Sequence, residues 1–477
     1  MKKKILSPDF CVIGAGSGGL SFAAGAAQMG ASVVLLEKHK MGGDCLNAGC
    51  VPSKALIAAS KIGHTVAHAQ SFGWSFSKVN VDFQKVHDHI HSVIASIAPH
   101  DSVERFEGLG VHVIREEGRF LDRNTVETEH HLIQAKRFIL ATGSSPFIPP
   151  VQGLDTVPFL TNESLFDLTE LPQHLAVIGG GPIGIEMAQA FRRLGSDVTV
   201  LEAFKALPKD DPEITDKLKA ILVNEGIHLL EGVTLLNIEK KINDIHIHYK
   251  KADGESAEIK ASHILVATGR RPHIQNLNLE KAGIEASPKG IKVDDHLKTS
   301  NPKVYAIGDC TGGYQFTHVA GYHAGIAIRH SIFRLNAKVE TRALPWVTYT
   351  DPELAHVGFL ESGLKSLKKD YKVLSLNFSE NDRAHTEKRT EGMIKVLVSP
   401  KGDILGATVL GVHAGELIYP WVIAIQNNLK ISALAKAIAP YPTLNEINKK
   451  IAGQFYTDKL FSPLIKKIVK ALTRFLR

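Results

Sequence analysis

Two short apolar runs, each broken by glycines, recur along the chain and predict the same folding unit twice. The first is Asp9-Phe10-Cys11-Val12-Ile13, followed by Gly14-Ala15-Gly16-Ser17-Gly18-Gly19. It reads as a buried strand turning sharply into a helix. Small residues continue that helix to Gly30, and a second strand from Ser32 to Leu36 ends at Glu37. The pattern returns at Leu175 to Ile178, Gly179-Gly180-Gly181-Pro182-Ile183-Gly184, a helix to Gly195, a strand from Asp197 to Leu201, and Glu202. Two further helices are predicted. One opens at Val51-Pro52-Ser53-Lys54 with the apolar run Ala55 to Ala59 behind it. The other opens at Ser462-Pro463, an N-cap residue followed by proline at the first helical position.

Each strand–glycine turn–helix–strand unit has the logic of a dinucleotide site. The first glycine makes the tight turn and the second admits the pyrophosphate. The third lets helix and strand pack, and the acid at the end of the second strand takes a ribose hydroxyl. The first glycine and the acid are 23 residues apart in both copies, and the first and helix-ending glycines are 16 apart in both. Identical offsets argue for two nucleotide sites. Glu202 would accept a ribose 2′-hydroxyl and repel a 2′-phosphate, with Lys205 the nearest cation, so the second site is expected to take NAD(H).

Composition narrows the class. A chain of 477 residues has room for about three domains, and no apolar run approaches a membrane span. Met1-Lys2-Lys3-Lys4 has the charge of a signal peptide but no apolar run after it, and only four cysteines are present. The expectation is a cytoplasmic protein in a reducing compartment. The net charge is +7, but six basic residues and no acidic one fall between Lys459 and Arg477, leaving +1 for the rest (7 − 6 = 1). A body so nearly neutral gives no case for nucleic acid.

The candidate chemistry lies in Gly42-Gly43-Asp44-Cys45-Leu46-Asn47-Ala48-Gly49-Cys50-Val51-Pro52-Ser53-Lys54. The two cysteines are close enough in sequence to pair, either as an inert staple or as a redox couple. A thiol at a helix N-terminus with a lysine nearby has a lowered pKa, which favours a reactive thiolate. Cys11 reads as core and Cys310 as structural.

With these motifs in place, the chain resembles the class I flavin- and pyridine-nucleotide-dependent disulfide oxidoreductases, which include dihydrolipoamide dehydrogenase, glutathione reductase and mercuric reductase. The resemblance covers about residues 8–457. It rests also on Ala141-Thr142-Gly143-Ser144 and Ala267-Thr268-Gly269-Arg270-Arg271-Pro272, on Val304-Tyr305-Ala306-Ile307-Gly308-Asp309, and on Tyr349-Thr350-Asp351-Pro352-Glu353. It implies an α/β chain with two Rossmann-like dinucleotide-binding domains and a C-terminal α+β dimerisation domain. Residues 1–150 would bind FAD and 151–273 NAD; 274–344 would complete the FAD site; 345–457 would form the interface of a C2 homodimer; 458–477 would be a basic tail.

The resemblance further implies FAD at Gly14, Gly16, Gly19, Glu37, Lys38, Gly43, Lys54, Gly118, Thr142, Gly143, Ser144 and Asp309. NAD(H) would lie at Gly179, Gly181, Gly184, Glu202 and Gly269. In the family's reaction Cys45 and Cys50 form the redox disulfide, with Cys50 the thiolate nearest the flavin and Cys45 the thiol that meets a small-molecule acceptor. Lys54 faces the flavin and Glu186 holds it.

Three departures bear on the acceptor. Thiol–disulfide members carry His-Pro-Thr-x-x-Glu near the C-terminus, whereas this chain has Tyr441-Pro442-Thr443-Leu444-Asn445-Glu446. A phenol titrating near 10 is a poor proton shuttle at neutral pH, so turnover of ordinary disulfides is expected to be weak. Mercuric reductase resembles the chain here, having tyrosine at this position. The sequence nevertheless lacks that enzyme's C-terminal cysteine pair and its N-terminal metal-capturing domain, and Glu202 opposes NADPH. The expectation is therefore a disulfide or metal-ion acceptor, with efficient mercury reduction not favoured. Pro182 stands where many relatives place an aromatic lid, which leaves room for diaphorase-like transfer to a quinone or partner protein.

Two patterns stand apart. His64 and His68, and His87 and His91, each lie one helical turn apart, with His89 between the latter; they read as exposed polar residues and no metal site is expected. In the tail, Leu464, Ile465, Ile468, Val469, Leu472, Phe475 and Leu476 fall on one helical face, and Lys466, Lys467, Lys470, Arg474 and Arg477 on the other. That is the pattern of a helix lying on the inner face of a membrane, or of one packed on the dimer or a partner.

Overall fold

The structure is a computed structural model that describes residues 3–76, 80–242 and 244–476. The chain forms two compact units, 1–203 with 230–339, and 204–229 with 340–477. Residues 204–229, inside the expected 151–273 domain, thus belong with the C-terminal unit.

In the first unit, five strands form a parallel sheet in the order Val304–Ala306, Arg137–Leu140, Phe10–Ile13, Val33–Leu36, Val111–Ile114. The unbroken apolar runs follow from burial on both faces. Phe10 and Val12 pack with Phe22 and Ala23 of the helix Ser17–Gln28 and with Ala324 and Ala327 of the helix Thr317–Ser331. Cys11 and Ile13 point the other way, against Phe120, Val126 and Phe138. The second glycine unit builds a parallel arrangement of Asp197–Glu202, His174–Ile178 and His263–Val266. Strands Ser144–Pro146 and Arg270–Pro272 pair antiparallel, Pro272 opposite Ser144, and so bind the two nucleotide units together.

The second unit is a five-stranded antiparallel sheet ordered Pro345–Thr348, Glu353–Gly358, Ile404–Gly411, Met393–Val398, Lys372–Asn377. Trp421 is buried in its core and donates from Nε1 to Asn448 Oδ1 at 2.8 Å. The helix Pro212–Asn224 belongs to this unit, N-capped by Asp211, which accepts from Glu213 N at 3.1 Å. The expected tail helix is Pro463–Thr473, with Ser462 as its cap. It stops short of Phe475 and Leu476, and Arg477 lies outside the described residues. Among the described residues, no helix is long and apolar enough to cross a membrane.

Candidate functional site

The two glycine loops have the same internal geometry. Gly14 has φ +104°, and a side-chain carbon there would meet Ala141 O at 2.4 Å; Gly179 has φ +110°, and its carbon would meet Ala267 O at 2.5 Å. A side chain at Gly19 would come within 1.8 Å of Gly14 O, and one at Gly184 within 2.0 Å of Gly179 O. Only glycine lets the strands and helices approach this closely. The middle glycines are the open ones, with the nearest atom 4.0 Å away at Gly16 and none within 4 Å at Gly181. The acids close each loop: Ala15 N donates to Glu37 Oε2 at 2.7 Å and Gly180 N to Glu202 Oε2 at 2.6 Å. Open glycine backbone at a helix N-terminus, with an acid beside it, fits a dinucleotide pyrophosphate and ribose in both places.

Further residues assemble around the first loop. Gly43 has φ +59°, and a side-chain carbon there would meet Gly16 Cα at 2.7 Å, so the cysteine segment packs directly on the loop. Ser144 Oγ donates to Asp309 Oδ2 at 2.5 Å, and Arg270 Nε donates to Ser144 Oγ at 2.7 Å. Arg270 also pairs with Asp44 at 3.4 Å, and Asn162 Nδ2 donates to the same Asp44 oxygen at 2.9 Å. This chain of contacts joins the Asp309 motif to the cysteine loop. Burial holds the Asp309 carboxyl above the usual range, opposed by Ser144 and Arg270. Thr142 Oγ1 donates to His273 O at 2.5 Å, and Gly143 and Gly269 take φ +72° and +117°.

Two other predicted flavin residues have local roles. Lys38 pairs with Glu117 at 3.0 Å on the surface. Gly118 is buried where a side chain would meet Leu36 Cδ1 at 2.4 Å, so its glycine serves packing.

Cys45 lies on the short helix Gly43–Asn47, and Cys50 is the first residue of the helix Cys50–His68. Both are thiols in this structure and share a hydrogen bond. A side chain at Gly49 would meet Asp44 Oδ2 at 2.8 Å and Asp44 O at 3.0 Å, so the turn between the cysteines is tight there. The pair is polarised. The hydrogen bond from Cys45 lowers Cys50 to about 6 against the pull of burial, with further help from Thr317 and the Lys54 ammonium. The same bond, then burial, drives Cys45 upward. Thr317 Oγ1 lies 3.2 Å from Cys50 Sγ and opens the helix Thr317–Ser331. Lys54 Nζ donates to Glu186 Oε2 at 2.9 Å, and the Glu186 side chain is 6% exposed.

Tyr441 and Glu446 belong to the other unit. Tyr441 is 71% exposed and donates to Asp382 Oδ2 at 3.0 Å; that bond raises its pKa, with a smaller push from Glu446. Glu446 accepts from Thr443 N at 3.5 Å. Pro182 is the first residue of the helix Pro182–Leu194. Burial pushes Cys310 up to about 12 and also raises Cys11. The rings of His64 and His68 lie 4.1 Å apart and those of His87 and His91 4.2 Å apart, each pair tilted. Among the described residues no group of three or more metal-ligating side chains is gathered.

Sequence reasoning assigned no role to Thr317, Asn162 or Asp44, and quoted Arg270 only within a motif. Their partners lie far away along the chain, so no local spacing points to these contacts.

This arrangement, two matched dinucleotide cradles and a polarised dithiol packed on the first, defines a flavin- and nicotinamide-linked dithiol oxidoreductase. The chain belongs to the pyridine nucleotide-disulphide oxidoreductase family, matching it over residues 8–324 and its dimerisation domain over residues 344–452. It is an FAD- and NAD(P)H-dependent oxidoreductase whose dimerisation domain makes it a homodimer. Among its relatives, a mercuric reductase of Bacillus cereus is 37% identical over 441 residues, 92% of this chain and 70% of that one. A dihydrolipoyl dehydrogenase of Bacillus subtilis (strain 168) is 32% identical over 444 residues, 91% of this chain and 96% of that one. The Cu(II) complex of the HOCl-induced flavoprotein disulfide reductase RclA from Escherichia coli superposes with a TM-score of 0.84 at 27% identity, covering 93% of this chain and 99% of that one. The expected family, fold class and cofactors are borne out.

Proposed function

We propose that this enzyme uses NADH to reduce a thiophilic metal ion that binds at Cys45 and Cys50. Residues 1–150 and 274–344 would hold FAD, 151–273 NADH, and 345–457 the dimer interface. Bound FAD and NADH supply a two-electron reductant. The protein's own part starts with the Cys45–Cys50 bond, which opens to a thiolate at Cys50 and a thiol at Cys45. The helix N-terminus, Thr317 and Lys54 favour negative charge at Cys50, while Cys45 keeps the proton. Glu186 holds Lys54 in place. Asp44, Asn162, Arg270, Ser144 and Asp309 fix the loop beneath the sulfurs. A soft metal ion displaces the Cys45 proton and is held by both sulfurs. The two sulfurs then rejoin and their electron pair goes to the metal, so that overall NADH becomes NAD⁺ and one proton while a divalent ion gains two electrons.

The observation that carries the acceptor is Tyr441. A phenol raised by Asp382 does not exchange protons at neutral pH, as a disulfide leaving group requires, whereas a metal bound by thiolates needs no such shuttle. Relatives at 32–37% identity include mercuric reductases, beside dihydrolipoyl dehydrogenases at 32–36%. Glu202, bonded to the second glycine loop, favours NADH over NADPH. The tail over 463–477 would add peripheral contact with the inner face of a membrane.

The test is anaerobic NADH oxidation with Hg(II), Cu(II), lipoamide, glutathione disulfide and a quinone, with Cys45→Ser alongside. Turnover with a metal ion that is lost in Cys45→Ser supports the proposal. Faster turnover with a disulfide overturns the acceptor. Quinone turnover indifferent to Cys45→Ser overturns the dithiol route.

A further inference from the structure

We propose that the C-terminal segment docks the enzyme on an anionic lipid surface, lying in the plane of the bilayer; this rests on the membrane contact proposed above and names its chemistry. The helix Pro463–Thr473 has no buried residue. At 100° per residue, Leu464, Ile468, Leu472, Ile465 and Val469 span an apolar arc of about 140°, while Thr473, Lys466, Lys470 and Lys467 span about 120° opposite. Leu464 is 66% and Leu472 62% exposed, and exposed Leu460, Phe461, Phe475 and Leu476 extend the apolar run beyond both ends. So large an exposed apolar run marks an interaction surface.

Charge selects the occupant. After Asp458 every charged residue is basic: Lys459, Lys466, Lys467, Lys470, Arg474 and Arg477. An apolar face flanked only by cations matches anionic headgroups over acyl chains, each cation adding about fivefold to partitioning. At 1.5 Å per residue the helix is about 16 Å long, well short of the roughly 30 Å apolar core, so it lies along the surface and does not cross. The matched dimerisation domain ends at residue 452, before this segment begins. The tail thus lies outside the matched dimerisation domain.

The experiment uses the full-length holoenzyme, co-sedimented with vesicles of phosphatidylcholine alone or mixed with phosphatidylglycerol, at low and high salt. Three variants run alongside: deletion of 459–477; Lys466→Gln with Lys467→Gln and Lys470→Gln; and Leu464→Ser with Ile468→Ser and Leu472→Ser. NADH-driven turnover reports that each is folded. The expected result is sedimentation with the anionic vesicles only, weakened by salt. The lysine variant should bind on the order of a hundredfold more weakly, and the leucine variant and the deletion should not sediment. Equal binding to both vesicle types overturns the anionic docking and leaves membrane contact standing. No sedimentation with either overturns both. A change of oligomeric mass on deletion, by sedimentation equilibrium, assigns the apolar face to a second copy of the chain and overturns the inference.

Discussion

The Thr317 hydroxyl lies 3.2 Å from Cys50 Sγ, across 267 residues of sequence. Thr317 and Cys50 each open a helix, so two helix N-termini converge on one sulfur. Toward a thiolate the hydroxyl can only donate, and a hydrogen bond to a charged group is worth roughly 1.5–3 kcal/mol. Thr317→Val keeps the shape and removes the donor. In the reduced holoenzyme, iodoacetamide labelling of Cys50, followed by peptide mass spectrometry, should titrate about one pH unit higher than the native value near 6. Labelling at pH 6 should fall several-fold. An unmoved midpoint would show that Thr317 only packs against the sulfur.

Lys54 supplies positive charge near that sulfur. Lys54→Met removes the charge that helps lower Cys50 and leaves the Glu186 carboxylate, 6% exposed, without its 2.9 Å partner. Groups placed where charge develops contribute about 10²–10³ in rate. NADH-driven turnover should drop by that order. The Cys50 labelling midpoint should rise with it, whereas a merely structural lysine would leave that midpoint unchanged. Glu186→Gln keeps the cation but loosens it, and should fall between the two.

The dinucleotide units were readable in the sequence because their chemistry is local. The strand runs directly into the turn glycines, the terminal acid follows 23 residues after the first of them, and each constraint selects a residue type. Cys45, Cys50, Lys54 and their helix were readable for the same reason. Glu186 came from family resemblance alone, since no pattern near it points across 132 residues to Lys54. Thr317, Asn162 and Arg270 were not readable: threonine, asparagine and arginine are common surface residues, and only the fold brings them to Cys50, Asp44 and Ser144. The pairing of Ser144–Pro146 with Arg270–Pro272 supplies that geometry. The tail helix was visible through its cap and periodicity, but its end at Thr473 leaves Phe475 and Leu476 beyond it.

In the mechanism proposed above Tyr441 limits disulfide exchange, and one substitution should relieve that limit. Its hydroxyl donates to Asp382, which raises the phenol pKa, so between pH 6 and 8 it stays protonated. Tyr441→His places a group titrating near 6.5 at the same exposed position, beside a carboxylate that favours its charged form. Turnover with lipoamide or glutathione disulfide should rise by about 10²-fold, with a bell-shaped pH profile that the native enzyme lacks. Tyr441→Phe should leave disulfide turnover at its low native level. If the histidine variant gains nothing, proton supply is not what limits these acceptors.

The C-terminal unit is held by a charge cluster that makes a separate prediction. Lys395 is buried in the strand Met393–Val398, and its ammonium meets Asp211 and Glu213 at 3.0 Å and Glu361 at 2.5 Å. Asp211 is as buried as the lysine and also caps the helix Pro212–Asn224, so one cation compensates carboxylates from two parts of the chain. Removing one partner of a buried pair costs about 3–5 kcal/mol, because the remaining charge is stranded. Lys395→Met should therefore lower the urea midpoint markedly at pH 8. The pH dependence has a definite sign. In the native protein Lys395 lowers the Glu361 pKa below its ordinary 4.5, so that stabilisation is present above 4.5 and lost as pH falls through the lower folded value. In Lys395→Met the three carboxylates are left facing one another without the cation, the lowering of Glu361 is lost, and acidification relieves the repulsion. The stability gap between native and variant should narrow from pH 8 to pH 5, as read by paired urea titrations. A gap that stays constant would mean that Lys395 contributes packing and that its charge is immaterial.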